Sequence, residues 1–402
     1  MEELIKNGEK MGKVTKSVYP VNSHLHTPYS FSAFSSIEQM FQLAEKENIK
    51  VLGINDFFTA DGYNEFNSYA LKYKIYPLFN IEFIGLSKEF QQQGLRVNDP
   101  NNPGRIYLSG KGLKQPMTLS PALFGKLKSV QEESQQQVKE MINKANDFFS
   151  LIGVDIKLNY NKIKSLYAKN LVRERHIAKA IYEMIMKKSA GSEDAALNLF
   201  SLIYSGVKPS SLLSDRVAFE NEIRSKLLKS GGQAFVPEDE TAFLSITQII
   251  EIIKVAGGLP CYPVLLDDAK GNFTEFEKDW DKMYHDLVKL NIGCIELIPN
   301  RNSIEILENF VNFFRSKNFP VFFGTEHNSP EMIPLIPMCR NNVPLSDNLK
   351  YISYEGACVI AGHQHLVKEN KEGFAGLSGS GNDSEIEKIA ALGNSLIEKY
   401  IS

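Results

Sequence analysis

Cysteine is scarce in this chain: four residues in 402, at Cys261, Cys294, Cys339 and Cys358, with no CxxC pair among them. That scatter excludes a disulfide framework and a cysteine zinc site, and it predicts free, buried thiols. Missing too is any apolar run of membrane-spanning length. The opening "MEELIKNGEKMGKVTKSVYP" alternates charge with isolated apolar residues where a signal peptide would carry an apolar core, so a soluble cytoplasmic protein is expected. Neither sign of charge prevails, since 45 Lys and Arg face 48 Asp and Glu. Contact with phosphate must then come from a local cluster of cations, and duplex nucleic-acid binding has no support. No repeat of fixed period is present. The glycines of "GFAGLSGSGNDSEIEKIAALGNSLIEKY" follow no strand and precede no GK[ST], so they read as a linker feeding a capped helix rather than a phosphate loop.

Core material, by contrast, is plentiful: 43% of the residues are hydrophobic, enough for one large α/β domain with an insertion or for two ordinary domains. "SSIEQMFQLAEKENIK" has apolar residues at helical spacing behind a serine cap, and "VLGIND" follows as a short buried strand. "YNEFNSYALKYK" and "IYPLFNIEFIGL" repeat the order. Alternation of this kind predicts parallel strands with outer helices and a site at the strand ends. The rhythm breaks after Ser87 and returns beyond "SGGQAFVPEDE". The expected organisation is a first barrel part over 20–88, a mainly helical insertion over 89–232, a second barrel part over 233–370, and a Gly/Ser linker with a final helix over 371–402.

In "VNSHLHTPYSF", His24 and His26 are two residues apart on a strand, so both imidazoles point the same way and can share an ion. Two solvated strand-end histidines are the plain alternative. Acidic residues at later strand ends favour the metal: Asp56 in "GINDF", Glu82 in "NIEF", and Glu326 beside His327 in "FGTEHN". In a parallel barrel such residues converge on one face. Imidazoles with carboxylates suit zinc, manganese or iron(II) better than magnesium or calcium. A second HxH, His363 and His365, lies in a helical stretch where positions two apart diverge by ~200°, so surface or cap roles are expected there. His285, near the lone Trp280 on an amphipathic helix, reads as structural.

The motifs "NSHLHTPYSF", "AEKENIKVLGINDFFTADGYNEF", "NIEF", "RERHIAKAI", "GGQAFVPEDETAFLSITQIIEIIKVAGGLPCYPV" and "VFFGTEHN" together resemble the polymerase and histidinol phosphatase (PHP) family of metal-dependent phosphoesterases. The insertion with "R..HIA.A" followed by "AFVP" is most similar to the branch that removes phosphate from nucleoside bisphosphates or trims RNA ends. The resemblance implies an α/β fold, a distorted (β/α)7 barrel with a helical insertion, and up to three metal ions at the strand ends.

Carried over residue by residue, the resemblance puts His24, His26 and the bridging Glu82 at the first metal, and Glu326 in place of the closing aspartate. The chain departs from the family at Phe57, where "DH" has histidine, at Tyr262 in the "HP" motif, at Tyr107, and at Asn328, for which His327 substitutes if the register shifts by one. Phenol and phenyl groups are poor or impossible ligands at neutral pH. One divalent transition metal is therefore expected, held by His24, His26, Glu82 and Glu326. Asp56 or His327 would carry the proton. Arg173, Arg175 and His176 would bind substrate phosphate, since guanidinium forks match phosphate oxygens, with an ordinary charged helix face as the alternative. The expected activity is hydrolysis of a small phosphomonoester or nucleotide beneath the insertion as a lid. The rival is a PHP-fold protein that lost catalysis and binds a phosphorylated ligand or a partner, and a third reading is non-phosphate Lewis-acid chemistry.

Overall fold

The computed structural model describes residues 17–30, 33–328, 331–374 and 383–402. The Gly/Ser linker of the sequence reading lies largely outside the described residues. Seven strands form one sheet in chain order: β1 (Val21–Leu25), β2 (Val51–Phe57), β3 (Tyr76–Leu86), β4 (Arg105–Lys111), β5 (Leu259–Val264), β6 (Cys294–Leu297) and β7 (Val321–Phe323). A parallel bridge between Leu25 and Glu326, just past β7, brings the two edges together into a nearly closed barrel. Strands wrapped on both faces read as continuous apolar runs, and every residue of β2 is buried.

The expectation of uniformly parallel strands needs one correction. β4 runs antiparallel to both β3 and β5, while the remaining pairs are parallel. The connection from β3 carries only a short helix, α3 (Lys88–Gln92), and returns directly beside β3, with Ile84 opposite Tyr107. A strand that comes straight back alongside its predecessor must run the other way, because parallel neighbours need a long crossover. The opening of the segment read as insertion thus contributes a strand to the sheet.

The outer helices follow the amphipathic pattern. α1 (Ile37–Lys46) starts on Ser36, whose side chain accepts from the Gln39 amide, and it buries Ile37, Met40, Phe41 and Ala44 against the sheet. α2 (Tyr63–Tyr73), α9 (Ile246–Val255), α10 (Trp280–Lys289) and α11 (Ile304–Ser316) complete this layer. Of the six α-helices between β4 and β5, five fall in the segment expected to be an insertion: α4 (Pro121–Leu151), α5 (Tyr160–Tyr167), α6 (Glu174–Lys188), α7 (Glu193–Ile203) and α8 (Arg216–Ile223). They enclose a core of their own that includes Phe149, Ile181, Phe200 and Phe219. α4 belongs to both bodies, with Leu123, Leu127 and Val130 in the barrel core and Val138, Met141 and Ala145 in the insertion core.

α12 (Asp347–Lys368) and α13 (Asp383–Ile401) close the barrel floor. α12 is buried almost all round and packs with Val21, Val51, Leu78, Cys261 and Phe322 of the strands. Its helical form parts the second HxH, as expected. His363 Nε2 lies 2.8 Å from the Gly257 carbonyl and its Nδ1 accepts from the Phe374 amide, whereas His365 faces Glu369 near the surface. Gly356 lets α12 seat against β7, since a Cβ there would collide with the Val321 carbonyl. Gly356→Val is therefore expected to cost about 2–3 kcal/mol of stability through overpacking, read as a lowered denaturant midpoint; an unchanged midpoint would refute this seating.

Candidate metal centre

The pairing register of β1 slips between Asn22 and Leu25, the interval that holds His24, and His26 follows directly after the strand end, so both histidines reach the barrel interior. Room for them comes from Gly324, where a Cβ would strike His24. His24 Nε2 and His26 Nε2 are 3.4 Å apart, and both face Glu82 Oε2, at 3.6 and 3.4 Å. The three ligand atoms lie within 4.8 Å of one another and all three residues are buried. Glu82 Oε2 has no hydrogen-bond donor, an expensive state for a buried carboxylate oxygen. Two imidazole nitrogens and such an oxygen make a donor set that fits a divalent transition metal.

Beneath this trio lies a second charged layer that sequence reasoning missed. Glu296, from the middle of β6, meets His24 Nδ1 at 3.0 Å through Oε2, Lys111 Nζ at 2.5 Å through the same oxygen, and the Ser109 hydroxyl through Oε1. Lys111 and Glu296 are fully buried. Asn55 lies along the His24 ring edge, 3.0 Å from Nε2, and its Oδ1 is 3.3 Å from Lys111 Nζ. The available signal was a charged residue inside an apolar strand, "CIEL" and "RIYLSGK", a pattern seldom buried without a partner.

These contacts set the electrostatics. Burial opposes a charge on His24, yet Glu296 and Glu82 outweigh it and lift the imidazole to about 9. His26, buried and beside His24 and Arg173, is pushed well below its usual value. Burial raises Glu82 to about 7 against the pull of His24. Glu296 is held far below the carboxylate range, because Lys111 and His24 overcome its desolvation.

The remaining expected site residues divide between the cavity and its supports. Glu326 lines the cavity outside the convergent trio; its carboxylate is ion-paired with Arg301 and accepts from Asn328 Nδ2 at 2.9 Å. Asp56 is buried away from the cavity and accepts from the Thr27 amide and hydroxyl and the Ser30 hydroxyl, at 2.7, 2.6 and 2.5 Å, which shapes the loop after β1. His327 is also turned away, with Nδ1 at 2.7 Å from Thr325 Oγ1, Nε2 at 2.8 Å from the Ile333 carbonyl and its ring stacked on Phe34. Phe57 stacks flat on His26, with ring centroids 5.1 Å apart, and Tyr107 meets Phe57 edge-on. Tyr262 points elsewhere, its hydroxyl donating to Glu277.

Above the trio a cavity of about 480 Å³ opens toward the insertion, so the aromatic rings narrow the interior without filling it. Arg173 and Arg175 line it together with Arg105, Arg224, Lys229 and Arg301. Arg173 lies over the Phe57 ring, and burial with the nearby Arg224 lowers Arg175 to about 10. His176 faces the helix start instead: its Nδ1 accepts from the Arg173 amide at 2.9 Å, one half of a capping arrangement on α6, since the Arg173 side chain has no acceptor of its own.

Comparison with known proteins adds the family context. Residues 22–110, which contain His24, His26 and Glu82, match the PHP domain, so the resemblance is borne out over that stretch. A protein of Bifidobacterium adolescentis, provisionally described as a metal-dependent phosphoesterase, superposes with a TM-score of 0.54 at 13% identity, covering 83% of this chain and 94% of its own. An amidohydrolase from Chromobacterium violaceum, solved with sulfate and no metal, gives 0.49 at 15% identity over 80% and 93%. At such identities the first likeness is one of fold, and it supports the PHP-type barrel. Comparison with curated proteins gave no match. Among the described residues no helix is long and apolar enough to cross a membrane.

The His176 cap makes a pH prediction. Burial holds this imidazole down to about 3, below its ordinary 6.5. The unfolded chain therefore takes up the proton first, and stability present above pH 6.5 is lost as the pH falls, by roughly 1.4 kcal/mol per unit. Gln is a normal partner in a capping box. His176→Gln should match wild type at pH 7.5 and lose roughly 2 kcal/mol less by pH 5, measured by denaturant unfolding; parallel losses would contradict this.

Proposed function

We propose, taking a PHP domain over residues 22–110 as the premise, that this chain hydrolyses a small phosphomonoester or nucleotide with one divalent transition metal held by His24, His26 and Glu82. The observation that carries the reading is the convergence of three buried ligand atoms, with His24 and Glu82 of the three lining a cavity walled by arginines. When bound, the ion supplies Lewis-acid chemistry, lowering the pKa of water and polarising a phosphoryl oxygen.

The chain's own groups do the rest. Arg173 and Arg175 hold the phosphate, with Arg224 and Lys229 beside them, and the guanidinium forks orient it toward the trio. His176 fixes the start of α6 and so the position of Arg173. Glu326 is the fourth ligand of this proposal, restrained by Arg301; an anionic substrate that engages Arg301 frees the carboxylate. Asp56 and His327 hold the loops after β1 and β7 in place, since their polar atoms are already engaged there. Phe57 and Tyr107 form an aromatic wall against which a base or other planar group packs.

One observation favours a second reading, a PHP-fold protein that binds a phosphorylated ligand without turnover. Phe57 and Tyr107 stand in the cavity where the family resemblance calls for metal-binding histidines, so a multi-ion clamp on attacking and leaving oxygens is not assembled from them. Assay of phosphate release from a panel of phosphomonoesters and nucleotides with manganese or zinc separates the two. Hydrolysis is expected, and joint His24→Ala and Glu82→Ala replacement should lower it by more than about 100-fold. Binding without release would establish the second reading. Arg173→Ala with Arg175→Ala should raise KM about 10- to 100-fold, a shift that an unchanged KM would exclude.

A further inference from the structure

Lys111 is the least expected charge in the molecule. It is fully buried inside the barrel, on a strand whose neighbours are largely apolar, and it touches no metal-ligand candidate directly. Its Nζ binds Glu296 Oε2, and that same oxygen meets His24 Nδ1 at 3.0 Å. Among the described residues Lys111 is the only lysine or arginine paired with Glu296. The Ser109 hydroxyl, two residues earlier on β4, holds the other carboxylate oxygen.

We propose that Lys111 is a positioning residue of the metal centre, acting through Glu296 on His24. The inference rests on the metal reading given above. A buried carboxylate needs a cation, and Lys111 meets that need from below, which leaves Glu296 as a fixed acceptor for the Nδ1–H of His24. With the proton kept on Nδ1, Nε2 presents its lone pair toward His26 and Glu82. A carboxylate behind a ligating histidine also raises the basicity of the ring, and losing such a partner usually costs 10- to 100-fold in metal affinity. Lys111 is thus two contacts away from His24, and three from the ion that His24 would hold.

Cobalt(II) is a suitable probe, because its visible absorption reports the ligand set without any assay of activity. Wild-type protein is expected to take up one equivalent. Lys111→Met should bind about 10- to 100-fold more weakly, with a shifted absorption band. If the uncompensated Glu296 prevents folding, the charge-neutral pair Lys111→Met with Glu296→Gln takes its place, and a loss of about tenfold or more is expected of it. Failure of wild type to bind cobalt would overturn the metal reading itself. Normal binding by wild type, with unaltered affinity and spectrum in the folded variant, would overturn the role of Lys111 alone.

Discussion

Barrel closure depends on two backbone hydrogen bonds, from the Glu326 amide to the His24 carbonyl at 2.9 Å and from the His26 amide to the Glu326 carbonyl at 3.1 Å. They join the first strand to the segment after the last across some three hundred residues of chain. The same bonds set the two histidines at the barrel mouth and bring Glu326 to the cavity wall. Closure bends the backbone sharply: Glu326 and His327 both adopt left-handed conformations, with φ of 66° and 49°. Each such non-glycine residue costs on the order of 1 kcal/mol, a strain that persists where surrounding contacts over-determine it and that often accompanies functional sites.

Charge inside the barrel is arranged in two layers. Glu82 faces the imidazole pair above, while Glu296 is answered below by Lys111, and His24 links the layers through its two nitrogens. In a low-dielectric interior this ordering matters more than any single contact, since a buried charge is tolerable only when paired and hydrogen-bonded. The upper carboxylate, lacking a donor on Oε2, is the member left to receive a cation. The lower one is already satisfied. The asymmetry follows from one strand, β4, which carries both Ser109 and Lys111 into the interior.

Much of this was legible in the sequence, for identifiable reasons. The i, i+2 spacing of His24 and His26 on an extended segment, and the helical spacing behind Ser36, depend on local geometry that survives folding. Glu82 came into view as an acidic residue within a strongly patterned strand, at the point where β3 leaves its pairing with β2. β4 escaped because its connection lacks a crossover helix and its "LSGKG" resembles a loop. Lys111 and Glu296 escaped with it: each stands out as a charge in a strand, but which partner it takes, 185 residues away, leaves no local trace. Tyr262, assigned to the metal region by its motif, instead turns to Glu277, a partner visible only once the chain is folded. Asp56 and His327 were expected to carry the proton, but their polar atoms are engaged by hydroxyls and carbonyls from turns whose course the sequence does not spell out.

α4 is also a mechanical member of the fold. Its 31 residues make a rod about 46 Å long, rooted at one end in the barrel and at the other in the insertion. Ser134, Gln137 and Val138, near its middle, form part of the cavity wall. A wall built into a continuous rod has no hinge of its own, so Ser134, Gln137 and Val138 stand at a fixed height above the barrel in which the rod is rooted.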